Sequence, residues 1–377
     1  MAPIDPLVLA QALIRCPSVA PADAGAQGVL QTALEPVGFT CHRLKFGEIE
    51  NLYARIGAGL PHFCFAGHSD VVPAGTGWRY DAFGAEIKDG VLYGRGAADM
   101  KSAIAAFVAA AQGFLAKAKP KGSISLLITG DEEGVATDGT VKLLDWLKQR
   151  GETIDHCVVG EPTSVARAGD TLKIGRRGSI NFRVTVRGVQ GHVGYPAKAK
   201  NPIPALATLA TRLCAHTLDS GSKHFEPSTL AFTTLDVGNP ATNVIPGEAQ
   251  AGFNIRFNDR HTADELIAWV GREAAAVAKQ TDCEIALTHT VSGVSFLTLP
   301  GAFTELVSKA VKGVTGVAPQ FSTSGGTSDA RFIKDVCPVV ELGLTGATMH
   351  KANECVPVEE IAALSAIYAA LLAAYFG

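Results

Sequence analysis

The stretch "FCFAGHSDVV" (63–72) runs as a β-forming apolar segment, breaks at Gly67 and delivers His68 and Asp70. On an extended chain, positions i and i+2 point to the same side, so Asp70 can reach the imidazole of His68. A carboxylate on one ring nitrogen fixes the tautomer and offers the other nitrogen to a metal. Alone, such a pair is more simply a structural His–Asp contact. Four further segments set an acid or an imidazole beside an apolar element. They are Asp99 in "LYGRGAADMKS" (92–102), Asp131, Glu132 and Glu133 in "LLITGDEEG" (126–134), Glu161 in "VVGEPT" (158–163) and His350 in "GATMHKANECVPVEE" (346–360). Each taken singly reads as a helix cap, a solvated loop acid or an ordinary loop histidine.

The recurrence changes that reading. An uncompensated carboxylate at the edge of a buried element costs several kcal/mol, and the nearby Arg95 and Lys101 are too few to neutralise so many acids. His68, Asp99, Glu133, Glu161 and His350 make a two-imidazole, three-carboxylate set without a thiol. Such donors suit two zinc ions sharing one carboxylate; magnesium and calcium make less use of imidazole. Paired ions ~3.5–4 Å apart clamp a substrate oxygen and activate water at neutral pH. Consecutive side chains leave an extended backbone on opposite sides, so Glu132 and Glu133 can divide metal binding and proton transfer. Spacing leaves open which does which.

The elements around these residues follow from the rest of the chain. Its 377 residues predict two domains, or three at most, at roughly 150 per domain. With 47% hydrophobic and 18% charged residues, the chain has ample core for a globular protein. The formal charge of 33 − 36 = −3, without a long basic run, makes nucleic acid and anionic membrane poor partners. Eight cysteines, with no C-x-x-C pair, suit a reducing cytoplasm better than a disulfide framework. No export leader is read at the start, which instead predicts a helix capped by Asp5 with Pro6 in its first turn. The apolar runs 103–116 and 361–376 fall short of the ~20 residues of a membrane span and read as packed helices. A G-x-x-x-x-G-K-[ST] loop for phosphoryl transfer is absent.

Residues 1–178 alternate strands (62–66, 123–129, 156–160) with helices (101–117, 138–149), which predicts an α/β domain built on a mixed sheet. From 179 the style changes: "SINFRVTVRG" alternates strictly, as in a sheet with one wet face. A helix (203–217), strands (228–237, 249–257), a helix (262–279) and a strand (283–290) follow, the β-α-β-β-α-β order of a ferredoxin-like unit. The α/β style returns at 292. The expectation is a discontinuous domain, 1–178 with 292–377, into which a ferredoxin-like α+β domain, 179–291, is inserted.

The H-x-D pair, the Asp before "MK", the "EE" pair, "GEPT" and the late His, in this order, resemble the di-zinc deacylase and aminopeptidase family. That family includes acetylornithine deacetylase, carboxypeptidase G-like enzymes and aminoacylase. Within it, "GRGAADMK", "GRRGS", "GGTSDARF" and "MHKANECV" are similar to the members that remove succinyl groups, over nearly the whole chain. The resemblance implies an amide hydrolase dependent on zinc, or on cobalt in its place, that releases succinate from an N-succinyl diamino acid in lysine biosynthesis. Acetylornithine deacetylase, or another N-acyl-amino-acid deacylase, is the alternative. It implies that Asp99 bridges two zincs per subunit, with His68 and Glu161 on one and Glu133 and His350 on the other. Glu132 is then the general base, and Asp70 orients His68. The anionic N-acyl substrate is expected at Arg176, Asn243, Arg256, Gly326, Thr327, Ser328 and Arg331, whereas Arg177 reads as a surface residue. The inserted domain is expected to make a homodimer and to act as a lid, with His192, assisted by Asn243, donating to the oxyanion in the partner's site. Gly346 departs from the Asn often found there in the desuccinylase branch.

Overall fold

The computed structural model describes residues 3–377, which divide into two compact units. One holds the chain through Ile174 together with Thr298–Ser322 and Ser328–Gly377; the other holds Gly175–Leu297 with Thr323–Thr327.

The first unit is built on an eight-stranded sheet in the order 40–46, 49–57, 123–129, 62–68, 156–159, 339–341, 171–173, 320–322. His62–His68 runs parallel to both its neighbours, Ser123–Thr129 and His156–Val159, and every residue of it is buried. Burial on both faces explains why these strands read as continuous apolar runs rather than alternations. Antiparallel strands at one side make the sheet mixed. The Lys101–Leu115 helix has twelve buried residues, half of them Ala, so it lies close to its neighbours. It packs against Pro6–Ile14 and Val358–Phe376. The ring of Phe107 stacks on Phe65 at 4.3 Å, and Tyr368 meets both rings edge-on at 5.6 Å. Asp5 caps the first helix as expected, accepting from the Leu7 N–H at 2.8 Å. The Val358–Phe376 helix, at 19 residues, is long and apolar enough to cross a membrane by length and composition. Its Ile361, Leu364, Ile367, Tyr368, Leu371 and Leu372 are nevertheless fully buried within the unit, as in a core helix.

The second unit is a four-stranded antiparallel sheet in the order 229–236, 248–257, 178–187, 284–293. The Pro202–Ala215 and Ala263–Thr281 helices pack on it. Taken in chain order, its strands lie 2-3-1-4, with both helices contributing to one apolar core around Val184, Phe253 and Val270. A reciprocal capping box at Thr262 and Glu265 starts the longer helix. The unit begins and ends a few residues outside 179–291, because Gly175–Arg176 pairs with Phe296–Leu297. The separate piece 323–327 had no signal in the pattern; Thr323 ties it to the unit by donating to the His224 carbonyl at 2.6 Å.

Candidate metal centre

Three neighbouring parallel strands end at one edge of the first unit's sheet, the place where α/β sheets hold ligands. His68 ends one, Glu132 and Glu133 follow the second, and Glu161 follows the third. Asp99 stands just before the Lys101–Leu115 helix, and His350 lies in a turn with a left-handed φ of 62°.

Asp99 is shared between two groups. Its Oδ1 is 3.1 Å from His68 Nε2, and its Oδ2 is 3.3 Å from His350 Nε2. Glu161 Oε1 lies 3.8 Å from His68 Nε2, and Glu133 Oε1 lies 2.8 Å from His350 Nε2. His68–Asp99–Glu161 and Asp99–Glu133–His350 each bring one donor atom per residue within 4.8 Å of one another. All five residues assigned to metal binding from the sequence therefore meet, in two trios with Asp99 in common.

The charges at this edge are poorly matched. Burial, then the charges of Asp99 and Glu132, push the Glu161 carboxyl well above its usual range. Burial, then the neighbouring Asp329, pushes Glu132 up to about 8. Burial opposes ionisation of Asp99 too, but hydrogen bonds from His350 and His68 outweigh it and hold Asp99 below the usual carboxylate range. Those same contacts, with Glu133, lift His350 to about 10. Burial opposes the charging of His68, yet contacts with Asp99, then the charges of Asp70 and Glu161, raise it as well; divalent cations between the trios would offset the carboxylates with neutral imidazoles as ligands. Two imidazoles, three carboxylates and no thiolate fit zinc-like ions.

Asp70 departs in detail from its expected role. The main-chain carbonyl of Asp70, not its carboxylate, lies 3.0 Å from His68 Nδ1. The carboxylate stands 3.7 Å off and accepts from the N–H groups of Glu132 at 3.2 Å and Glu133 at 2.9 Å. It therefore fixes the acidic pair as well as the imidazole's surroundings. Burial lifts it to about 6.

The profile of peptidase family M20/M25/M40 matches residues 64–374. The chain belongs to that family.

Among its relatives in this family, the succinyl-diaminopimelate desuccinylase of Caulobacter vibrioides is 58% identical over 375 residues, 99% of this chain and 96% of that protein. The succinyl-diaminopimelate desuccinylase of Parvibaculum lavamentivorans is 56% identical over 381 residues, again 99% and 96%. The fold matches aminopeptidase PepT from Bacillus cereus with a TM-score of 0.81 at 21% identity, covering 99% of each chain. It also matches a dinuclear metal-binding M20 peptidase from Bacillus subtilis, with a TM-score of 0.74 at 15% identity over 97% of this chain and 96% of that one. The chain is thus a metal-dependent amide hydrolase of the M20 type, with a mixed-sheet α/β fold.

The remaining site residues of this M20 chain fall in different places. Arg331 Nη1 lies 3.6 Å from Glu132 Oε1, and its Nε is buried without a hydrogen-bond partner. Ser328, expected at the substrate, is fully buried and its hydroxyl donates to Glu341, which braces the loop. Gly326 is exposed and Thr327 half-buried in the second unit's 323–327 piece. In that unit Arg176, Arg177 and Arg256 cluster: burial, then the charges of Arg177 and Arg176, lower the Arg256 pKa. Arg256 Nη1 and Arg177 Nε are buried without partners, while Arg177 Nη1 donates to the Pro227 carbonyl at 3.2 Å. Arg177 is therefore half-buried in the cluster, not a free surface residue. Gly325, at φ 106°, leaves room for Arg176; an added Cβ there would lie 2.4 Å from its Nη1. His192 and Asn243 come together on a short two-stranded ribbon, where the Val193 N–H donates to the Asn243 carbonyl at 3.1 Å. The Gly194 N–H donates to His192 Nδ1 at 2.9 Å, which places the neutral ring's proton on Nε2 of this exposed histidine. Gly346 has little space for a side chain, since a Cβ would lie 3.0 Å from the Pro162 carbonyl oxygen. Sequence reasoning also missed Asp329, buried beside Glu132 with the Thr140 hydroxyl donating to it at 2.6 Å. Its only signal was its place in "GGTSDARF".

Proposed function

We propose that the chain hydrolyses the amide bond of N-succinyl-LL-2,6-diaminopimelate, giving succinate and LL-2,6-diaminopimelate. The observation that carries this reading is the pair of donor trios sharing Asp99, with Glu132 beside them in a further grouping with His68 and Glu133. The names of relatives 56–58% identical over almost the whole chain supply the acyl group. Two zinc ions, which cobalt can replace, would polarise the scissile carbonyl and ease deprotonation of the attacking water. His68 and Glu161 would hold one, Glu133 and His350 the other, and Asp99 both.

The chain's own residues then do the rest. Glu132 takes the proton of the attacking water and delivers it to the departing amine, a role worth about 10²–10⁴ in rate. Arg331, whose Nη1 lies 3.6 Å from Glu132, takes a carboxylate of the substrate beside it. Arg176 and Arg256, with Gly326 and Thr327 of the 323–327 piece, take an anionic arm of the substrate; the buried, unpartnered Nη1 of Arg256 supports a carboxylate there. His192, with its proton on Nε2, donates to the developing oxyanion in the partner subunit of a homodimer formed through the inserted unit, and Asn243 assists. All eight cysteines are free, which accords with a cytoplasmic enzyme.

The test is release of succinate from N-succinyl-LL-2,6-diaminopimelate against release of acetate from N-acetylornithine by the purified protein. Preference for the succinyl substrate supports the reading. Preference for the acetyl substrate replaces it with acetylornithine deacetylation.

A further inference from the structure

Beneath the metal centre lies a fully buried ion pair that none of the catalytic steps uses. Glu354 is 0% and Arg95 2% exposed, and Arg95 Nη1 meets Glu354 Oε2 at 2.5 Å. The other oxygen of Glu354, Oε1, accepts from the main-chain N–H of Ala98 at 2.8 Å and of Asp99 at 3.0 Å. Its own carbonyl accepts from the Gly94 N–H at 2.9 Å. One side chain from the late turn thus grips the backbone that carries the shared ligand.

Arg95 extends the grip in the other direction. Its Nη1 also donates to the Lys351 carbonyl at 3.3 Å, and its Nη2 faces the carbonyls of Pro73 and Ala74 at 3.3 Å and of His350 at 3.5 Å. The Trp78 ring covers the guanidinium at 5.3 Å. The turn it holds needs holding: His350 and Asn353 both carry left-handed backbone, at φ 62° and 60°. That conformation costs a non-glycine residue about 1–2 kcal/mol. A planar guanidinium with a fork of donors reaches five acceptors at once, which a lysine ammonium cannot do.

We propose that Arg95 and Glu354 are the positioning pair of the metal centre, fixing the Asp99 backbone against the His350 turn. The proposal rests on the metal-centre reading above. The pair acts unequally on the two trios. Only Asp99–Glu133–His350 has both its shared carboxylate and its imidazole on segments held by the pair; His68 and Glu161 sit on strand ends secured by the sheet. Loss of the pair therefore weakens the ion at Glu133 and His350 more than the one at His68 and Glu161, which depends on the pair through Asp99 alone.

The experiment titrates the chelator-treated full-length protein with Co²⁺, by calorimetry and by visible absorption, for the parent, Glu354→Gln, Arg95→Lys and a His350→Ala reference. The expected result is unequal loss: one ion weakened about 10–100-fold, the usual effect of removing a residue that orients ligands, and the other clearly less. The absorption of the variants then moves toward that of His350→Ala. If Glu354→Gln does not fold, Arg95→Lys, which keeps the charge, decides alone. Parent-like affinity at both steps overturns the proposal, as does equal weakening of both, the mark of a merely structural pair. A parent that binds no second ion refutes the metal reading itself; a parent that binds two beside unaffected variants refutes only the positioning role.

Discussion

The Asp70 carboxylate accepts the main-chain N–H of Glu133 through Oδ2 at 2.9 Å. Its other oxygen accepts from the Glu132 N–H, so a single buried side chain sets both neighbouring acids. In Asp70→Asn one acceptor becomes a donor facing an N–H. Turnover is expected to fall about 10–100-fold, the range for residues that orient metal ligands. Steady-state kinetics on the metal-loaded variant measure it, and unchanged kcat would remove Asp70 from the account.

Glu132 and Glu133 are adjacent yet unlike: Glu133 touches His350, whereas Glu132 faces Arg331. Glu132→Gln is expected to cost about 10²–10⁴ in kcat with parent metal content. Glu133→Gln is expected to lose metal. Elemental analysis beside kinetics separates the two, and a metal-poor Glu132→Gln would exchange their roles.

Gly343 packs directly under Glu161. An added Cβ would lie 2.2 Å from the Glu161 carbonyl oxygen and 2.5 Å from that of Gly160. Backbone cannot rotate away as a side chain can, so Gly343→Ala is expected to destabilise the first unit by about 1–3 kcal/mol. Denaturant unfolding in chelator measures this, and weaker binding of the ion at His68 and Glu161 should accompany it.

In the second unit, burial favours the neutral form of Asp219. Hydrogen bonds from Ser228, Gly221 and Asn258 outweigh it and hold Asp219 down at about 2. The folded carboxylate thus keeps its charge to lower pH than the unfolded one. Its stabilisation is fully present above about 4, the unfolded value, and is lost as pH falls through about 2. Asp219→Asn should lower stability at neutral pH and flatten the acid limb of the stability–pH curve over that window. Acid unfolding of the two proteins followed side by side is the measurement; superimposable curves would refute it.

His68, Asp99, Glu133 and Glu161 stood out as candidate donors because each sits where a buried strand or an apolar helix meets a polar residue, and such elements announce themselves by composition; His350, in a turn, had only the resemblance to mark it. His68, Glu133 and Glu161 owe their nearness to parallel neighbours in one sheet, which the βαβ alternation already implied. The pieces that escaped notice have no such periodicity. Strands of two or three residues, such as Gly175–Arg176 and Phe296–Leu297, are too short to alternate, so the unit boundaries drifted. The Thr40–Phe46 and Ile49–Gly57 hairpin went unread because its outer strand has no fully buried residue and is largely polar. Ser328 looked like a loop donor, and only the fold turns it inward toward Glu341. Glu354 in "ANECV" carries no signal of its own in the sequence, because its partner Arg95 lies more than 250 residues earlier in the chain.

The account depends on two divalent ions held between residues far apart in sequence. Its most direct test is elemental analysis of fully active protein, followed by chelator dialysis and readdition of zinc. Two ions per chain, loss of amide hydrolysis as they are removed, and recovery on their return are the predicted results. Full activity from a chain carrying no stoichiometric metal would contradict it.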